Sequence, residues 1–115
     1  MNKNETDWAV VNEFGGSTTY VDRASIARNG ALVQATVRYA LSPPGIDQRN
    51  GKSVKEMLML EEYDTFTNRF RIHGLIFKYA DTSSSEPLST EPEWSPATAG
   101  NQITLEFLRN FISRK

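Results

Sequence analysis

Two runs of alternating residues, Ser53–Tyr63 and Arg69–Tyr79, constrain this chain more than any other feature. They are joined by a polar link, Asp64-Thr-Phe-Thr-Asn68, whose Asp and Asn suit a turn in which side chains bond back to their own backbone. Successive residues of a strand point to opposite faces. In the first run Met57, Met59 and Tyr63 therefore share one face and Val54, Leu58 and Leu60 the other. In the second, strict alternation sets Phe70, Ile72 and Ile76 against Arg71, Leu75, Phe77 and Tyr79. Apolar groups on both faces predict a central hairpin, covered on one side of a sheet and partly on the other.

Around this hairpin the chain reads mostly as short strands. Trp8 to about Phe14 and Thr18–Val21 flank Gly15-Gly16-Ser17, a turn signal that predicts an antiparallel pair. Asp22 can cap a single helical turn, with Ile26 facing inward and Asn29-Gly30 closing it. Ala31–Leu41 alternates cleanly, Val33, Ala35, Val37 and Tyr39 against Gln34, Thr36 and Arg38. Residues 42–51, with two prolines and two glycines, read as a loop. So do residues 82–98, where Trp94 marks a short edge strand hemmed by prolines.

Gln102–Ser113 has helical spacing, with Thr98 or Asn101 as its cap. Ile103, Leu105, Phe107, Leu108, Phe111 and Ile112 spread over a wide arc, which predicts a helix pressed firmly onto the sheet. Strands first and a helix last predict the α+β class: a single antiparallel sheet of five or six strands with a C-terminal helix packed on one face. With 115 residues this is one domain, residues 7–115, behind a disordered tail over residues 1–6.

Composition removes several function classes. Thirteen basic and fourteen acidic residues give a net charge of −1, no general attraction for nucleic acid or an anionic membrane. Cysteine is absent, which excludes disulfides, thiolate metal sites and cysteine nucleophiles. Met1 to Asp7 lacks an apolar core, so the expectation is a chain with no signal peptide or membrane span of its own. It is then either intracellular, or an exported protein in which Met1 stands where an export signal was removed.

The chemical groups point away from catalysis. His73 is the sole histidine; it could couple to Glu61 or Glu62 across the hairpin, although a partly exposed strand histidine is the commoner role. Glu61 and Glu62 alternate to opposite faces and do not converge on a cation. Arg69 and Arg71 share a face and could grip a partner's carboxylate, or pair with the glutamates opposite. No serine lies in a nucleophile elbow and no glycine loop suits a phosphate. Trp8 reads as core; Trp94 as either core or surface. No cofactor and no metal is expected.

The order of landmarks carries a further reading. An Asp7-Trp8 strand leads to Thr19-Tyr-Val-Asp22, Ser25-Ile26, and Gly30 before a valine-rich strand. After the Pro-Pro segment come Glu62-Tyr-Asp64, Arg69-Phe-Arg-Ile72, the isolated Trp94, a proline and the final helix. From Asp7 to Ile112 this progression resembles the surface-adhesin protein E family, small exported proteins of Gram-negative bacteria. The family commonly carries two cysteines that join sheet to helix; Thr65 and a position near Ile112 stand there in this chain.

The resemblance implies a non-enzymatic protein of the bacterial cell envelope, periplasm or outer surface, that binds other proteins: host matrix or serum proteins, or another envelope protein. Binding is expected from loops and exposed sheet, at Pro43, Pro44, Asp47, Arg49, Arg69, Arg71 and Trp94. A sheet edge could also pair two copies into a homodimer. The alternative is an intracellular small-molecule carrier or regulatory subunit, with a pocket between sheet and helix lined by Met57 and Met59.

Overall fold

The computed structural model describes residues 5–90 and 93–113, so most of the expected tail lies outside the described residues. Among the described residues are eight strands, β1 (Trp8–Phe14), β2 (Ser17–Asp22), β3 (Ala27–Asn29), β4 (Leu32–Ile46), β5 (Ser53–Asp64), β6 (Arg69–Tyr79), β7 (Leu88–Ser89) and β8 (Ser95–Pro96). One helix, α1 (Ala99–Ser113), follows them. All strands join one antiparallel sheet ordered β1-β2-β4-β5-β6-β7, with β3 beside β4 and β8 beside β6. The α+β architecture is as the periodicity predicts. The strand count exceeds five or six because β3, β7 and β8, each only two or three residues long, annex themselves to the longer strands.

The helix covers one face, here the inner face. Leu105 and Leu108 pack at 0% exposure against Val21, Val33, Ala35, Val37 and Tyr63, with Val11, Ile26, Phe70, Phe107 and Ile112 around them. Each fully buried aliphatic side chain contributes about 1.5–3 kcal/mol. The buried stripe of α1, Thr104-Leu105-Leu108, is narrower than its apolar arc: Ile103 is exposed and Phe107 only half-buried. Thr98 precedes the helix, its hydroxyl donating to Asn101 Oδ1 at 2.7 Å. At the other end Arg109 Nη2 donates to the Thr65 carbonyl (2.6 Å) and to Asn68 Oδ1 (2.5 Å), tying α1 to the β5–β6 turn.

Strict alternation fails at His73. Leu60 pairs with Gly74 and Glu61 with Ile72, leaving His73 as an extra residue in β6. Such a bulge reverses the facing of everything beyond it. Because directly paired residues share a face, Phe70, Ile72, Leu75, Phe77 and Tyr79 lie inward, and Arg71, Gly74, Ile76 and Lys78 outward. Ile76 therefore leaves the face that alternation gives it. A second irregularity between Val54 and Glu56 sets Val54 opposite Tyr79 and turns it inward, away from Leu58 and Leu60.

Three further expectations need correction. Residues 42–46 are not loop: β4 runs on to Ile46, passing Pro43 and Pro44 in a ladder irregularity between Ala40 and Gly45, where two residues without an N–H cost the ladder little. Asn29-Gly30 does not close the helical turn but leads from β3 into β4, with Gly30 at φ 62°. Trp8 lies on the outer face, away from the helix, since its partner residues in β1 and β2 alternate with those that face the core. The capped turn does occur: Asp22 accepts from Ala24 N at 3.0 Å and from Asp7 N at 2.8 Å.

Candidate functional site

The two faces treat polar groups differently. On the inner face Glu61 is 1% exposed, beside the helix-covered core. Tyr63 donates its hydroxyl to Glu61 Oε1 at 2.6 Å and Tyr39 donates to Oε2. Asn101 of α1 in turn donates to the Tyr63 hydroxyl at 3.3 Å. Burial pushes the Glu61 carboxyl above the ordinary carboxylate value, against the opposing pull of the two hydroxyls. Burial and the neighbouring carboxylate push both tyrosines upward as well. Sequence alternation places Glu61 on the inner face but not in its core; that both tyrosines converge on it follows from the register Ala35↔Glu61 and Tyr39↔Met57.

Among the described residues no helix covers the outer face. Near the turn end Glu62 collects three donors: Arg71 Nε at 2.6 Å, His73 Nε2 at 2.9 Å and Gln34 Nε2 at 3.3 Å. Burial resists the charge on Glu62, but the bonds from His73, Arg71 and Gln34 outweigh it and hold the pKa below the ordinary value. Arg71 and His73, two residues apart on β6, lie on one side as alternation alone requires, and Glu62 stands directly opposite Arg71. The Arg71 guanidinium also lies 4.2 Å from the Trp94 ring centroid, so Trp94 belongs to this surface. Arg69 is exposed opposite Asp64 and Pro96.

A second arginine, which sequence reasoning did not single out, stands further along this face. Arg38 is packed against two rings, 4.7 Å from the Trp8 centroid and 4.1 Å from the Tyr20 centroid. Between the two arginines is an apolar hollow of about 250 Å³, lined by Thr36, Leu58, Leu60, Gly74, Ile76 and Pro87. Leu60 and, on β1, Val10 are exposed on the same side. The signal for Arg38 is present in the sequence as a cation alternating with buried valines. Its aromatic neighbours come from β1 and β2, and only the strand order brings them together.

The segment after β4 is tied down. Asp47 is buried; it accepts from Arg49 (2.7 and 3.0 Å to the side chain) and from the Tyr79 hydroxyl (2.6 Å). Arg49, Tyr79 and the Arg49 backbone hold its pKa far below the usual range. Asp47 and Arg49 thus fasten this turn to β6, while Pro43 and Pro44 are exposed. The 82–98 segment is likewise partly fastened: Ser85 Oγ accepts from Phe77 N at 2.9 Å and β7 pairs with β6. Glu91 and Pro92 lie outside the described residues.

Among the described residues no group of three or more His, Asp or Glu is placed to hold a metal, and no helix is long and apolar enough to cross a membrane. Compared with family models, with curated proteins and with solved structures, the chain matches none.

Proposed function

We propose that this chain is a non-enzymatic recognition module of the bacterial envelope, of the surface-adhesin protein E kind, that binds other proteins through its open sheet face and the segments beside it. The observation that carries the reading is the uncovered outer face, where apolar side chains and two arginine–aromatic stacks lie side by side. Proteins normally bury such a surface against a partner. The His73–Glu62 couple speaks for recognition over catalysis, since Glu62 is already committed to Arg71 and Gln34. The resemblance also places a sheet-to-helix link at Thr65, and here Arg109 makes one to the Thr65 carbonyl.

Around Leu105 and Leu108 the space between sheet and helix is filled by residues at 0% exposure, and the hollow of about 270 Å³ that opens beside the end of α1 is lined by Ile26, Arg28, Phe111 and Ile112 and not by Met57 or Met59, as the carrier alternative requires. Binding should be tested with purified protein against immobilised envelope extracts and a panel of matrix and serum proteins. His73→Gln should bind as the wild type does. A turnover that depended on His73, or an absence of any saturable protein binding, would overturn the reading.

A further inference from the structure

Arg38 and Arg71 present the same group in opposite states. Arg71 has its acceptor within the chain, Glu62 at 2.6 Å. Arg38 has none: its Nε is buried without a hydrogen-bond partner, and no described residue accepts from its terminal nitrogens. Glu56 Oε2 stands 3.7 Å from Nε, near enough to offset charge and too far to accept. The Trp8 and Tyr20 rings lie against the guanidinium, Nε is buried, and the side chain as a whole keeps 25% exposure. A planar fork of donors held rigid beforehand is suited to a carboxylate, which takes two parallel N–H bonds.

The hollow adjoins it. Arg38 is the direct cross-strand neighbour of Leu58, and Leu58 of Ile76. At the floor Gly74 faces outward, and a Cβ built there meets nothing within 4 Å. Aliphatic walls and a glycine floor leave room for one branched side chain. We propose that this face is a docking surface for an extended segment of another protein, with an aliphatic side chain in the hollow over Gly74 and a carboxylate on the Nη edge of Arg38. In an extended chain alternate residues share a face about 6.6 Å apart. Arg38 on β4 and Gly74 on β6 lie two strand spacings apart, about 9.6 Å, so the acidic residue lies two to four positions from the aliphatic one.

This inference rests on the protein-binding reading and narrows it to one surface. The test is selection of displayed random heptapeptides on the folded wild-type protein. The selected sequences are then synthesised with a fluorescent label and titrated by anisotropy. Enrichment of Asp or Glu two to four positions from Leu, Ile or Val is expected. Arg38→Met, which keeps the apolar stem, should weaken these peptides about tenfold or more, and so should replacing the peptide's Glu by Gln. Gly74→Leu, which fills the hollow and leaves Arg38 in place, should do the same; thermal melts would show that each variant is folded. If selected peptides bind both variants as tightly as wild type, the docking face is wrong while protein binding by another surface stands. Retention of no peptide at all would remove both. Oligothymidine or a second copy of the chain occupying the face in place of peptide would also overturn the assignment.

Discussion

Glu61 and Glu62 are neighbours in one strand, and the sheet gives them opposite fates. Glu61 turns inward, where both of its partners, Tyr39 and Tyr63, are neutral, and burial raises its pKa. Glu62 turns outward into a cluster with two nitrogen bases and an amide, and its pKa falls. The contrast teaches that in this fold the inner face tolerates a carboxyl as a hydrogen-bond acceptor, whereas the outer face uses one as a counter-charge. A buried acceptor is costly to remove because its donors are left behind, while taking one of three donors from Glu62, itself 5% exposed, leaves the other two in place.

The largest effect is therefore expected from Glu61→Ala. It takes the acceptor from the buried Tyr63 hydroxyl and the part-buried Tyr39 hydroxyl and opens a void, at about 3 kcal/mol in urea unfolding. Stability equal to wild type would mean that Glu61 is not the acceptor for those tyrosines. Arg71→Met should cost less, about 2 kcal/mol, because Glu62 keeps His73 and Gln34 and the Arg71 side chain is 25% exposed. A cost above that of Glu61→Ala would reverse the comparison.

Acidity sharpens the same contrast through its sign. A raised folded pKa means that the Glu61 contribution is fully present below the unfolded value, near 4.5, and is lost as pH rises through the folded pKa. A lowered one means that the Glu62 contribution is present above 4.5 and is lost as pH falls through the folded pKa. Stability measured against pH should then show wild type losing ground to Glu61→Gln as pH rises from 4 toward neutrality. Against Glu62→Gln it should lose ground on acidification. Parallel slopes for the two variants would show that their environments are alike. The smallest effect is expected from His73→Gln, under about 1 kcal/mol, since the ring is partly solvated and Arg71 still answers Glu62. A loss larger than that for Arg71→Met would make His73 the principal partner.

Much of this architecture is legible in the residues. β6 spans the run that alternation marks out, β5 extends it by one residue to Asp64, and Asp64 Oδ1 accepts from Phe66 N and Thr67 N as an aspartate opening a turn does. The helix is legible from its apolar spacing. Its burial is less so: Leu105 and Leu108 are enclosed, while Phe107 and Ile103 are not, because the helix meets a twisted sheet along one line and a broad arc cannot all touch it. Of the expected binding residues, Arg71 and Trp94 do meet, on the outer face. Asp47 and Arg49 spend their charges on each other and on Tyr79, a contact 32 residues away that no local pattern announces.

The sequence by itself determined the strand-forming runs, the turns between them, the C-terminal helix and the α+β class. These depend on local periodicity and on Asp, Asn and Gly at chain reversals, which act within a few residues. The tertiary structure decided which side of the sheet each residue reaches. One unpaired residue, His73, shifts the register and carries Ile76 from one face to the other. A bulge is an agreement between two strands, not a property of either, so periodicity read along a single strand cannot contain it. The same holds for Arg38: its charge and its face are written in β4, but its rings come from β1 and β2, and only the order of the sheet sets them around it.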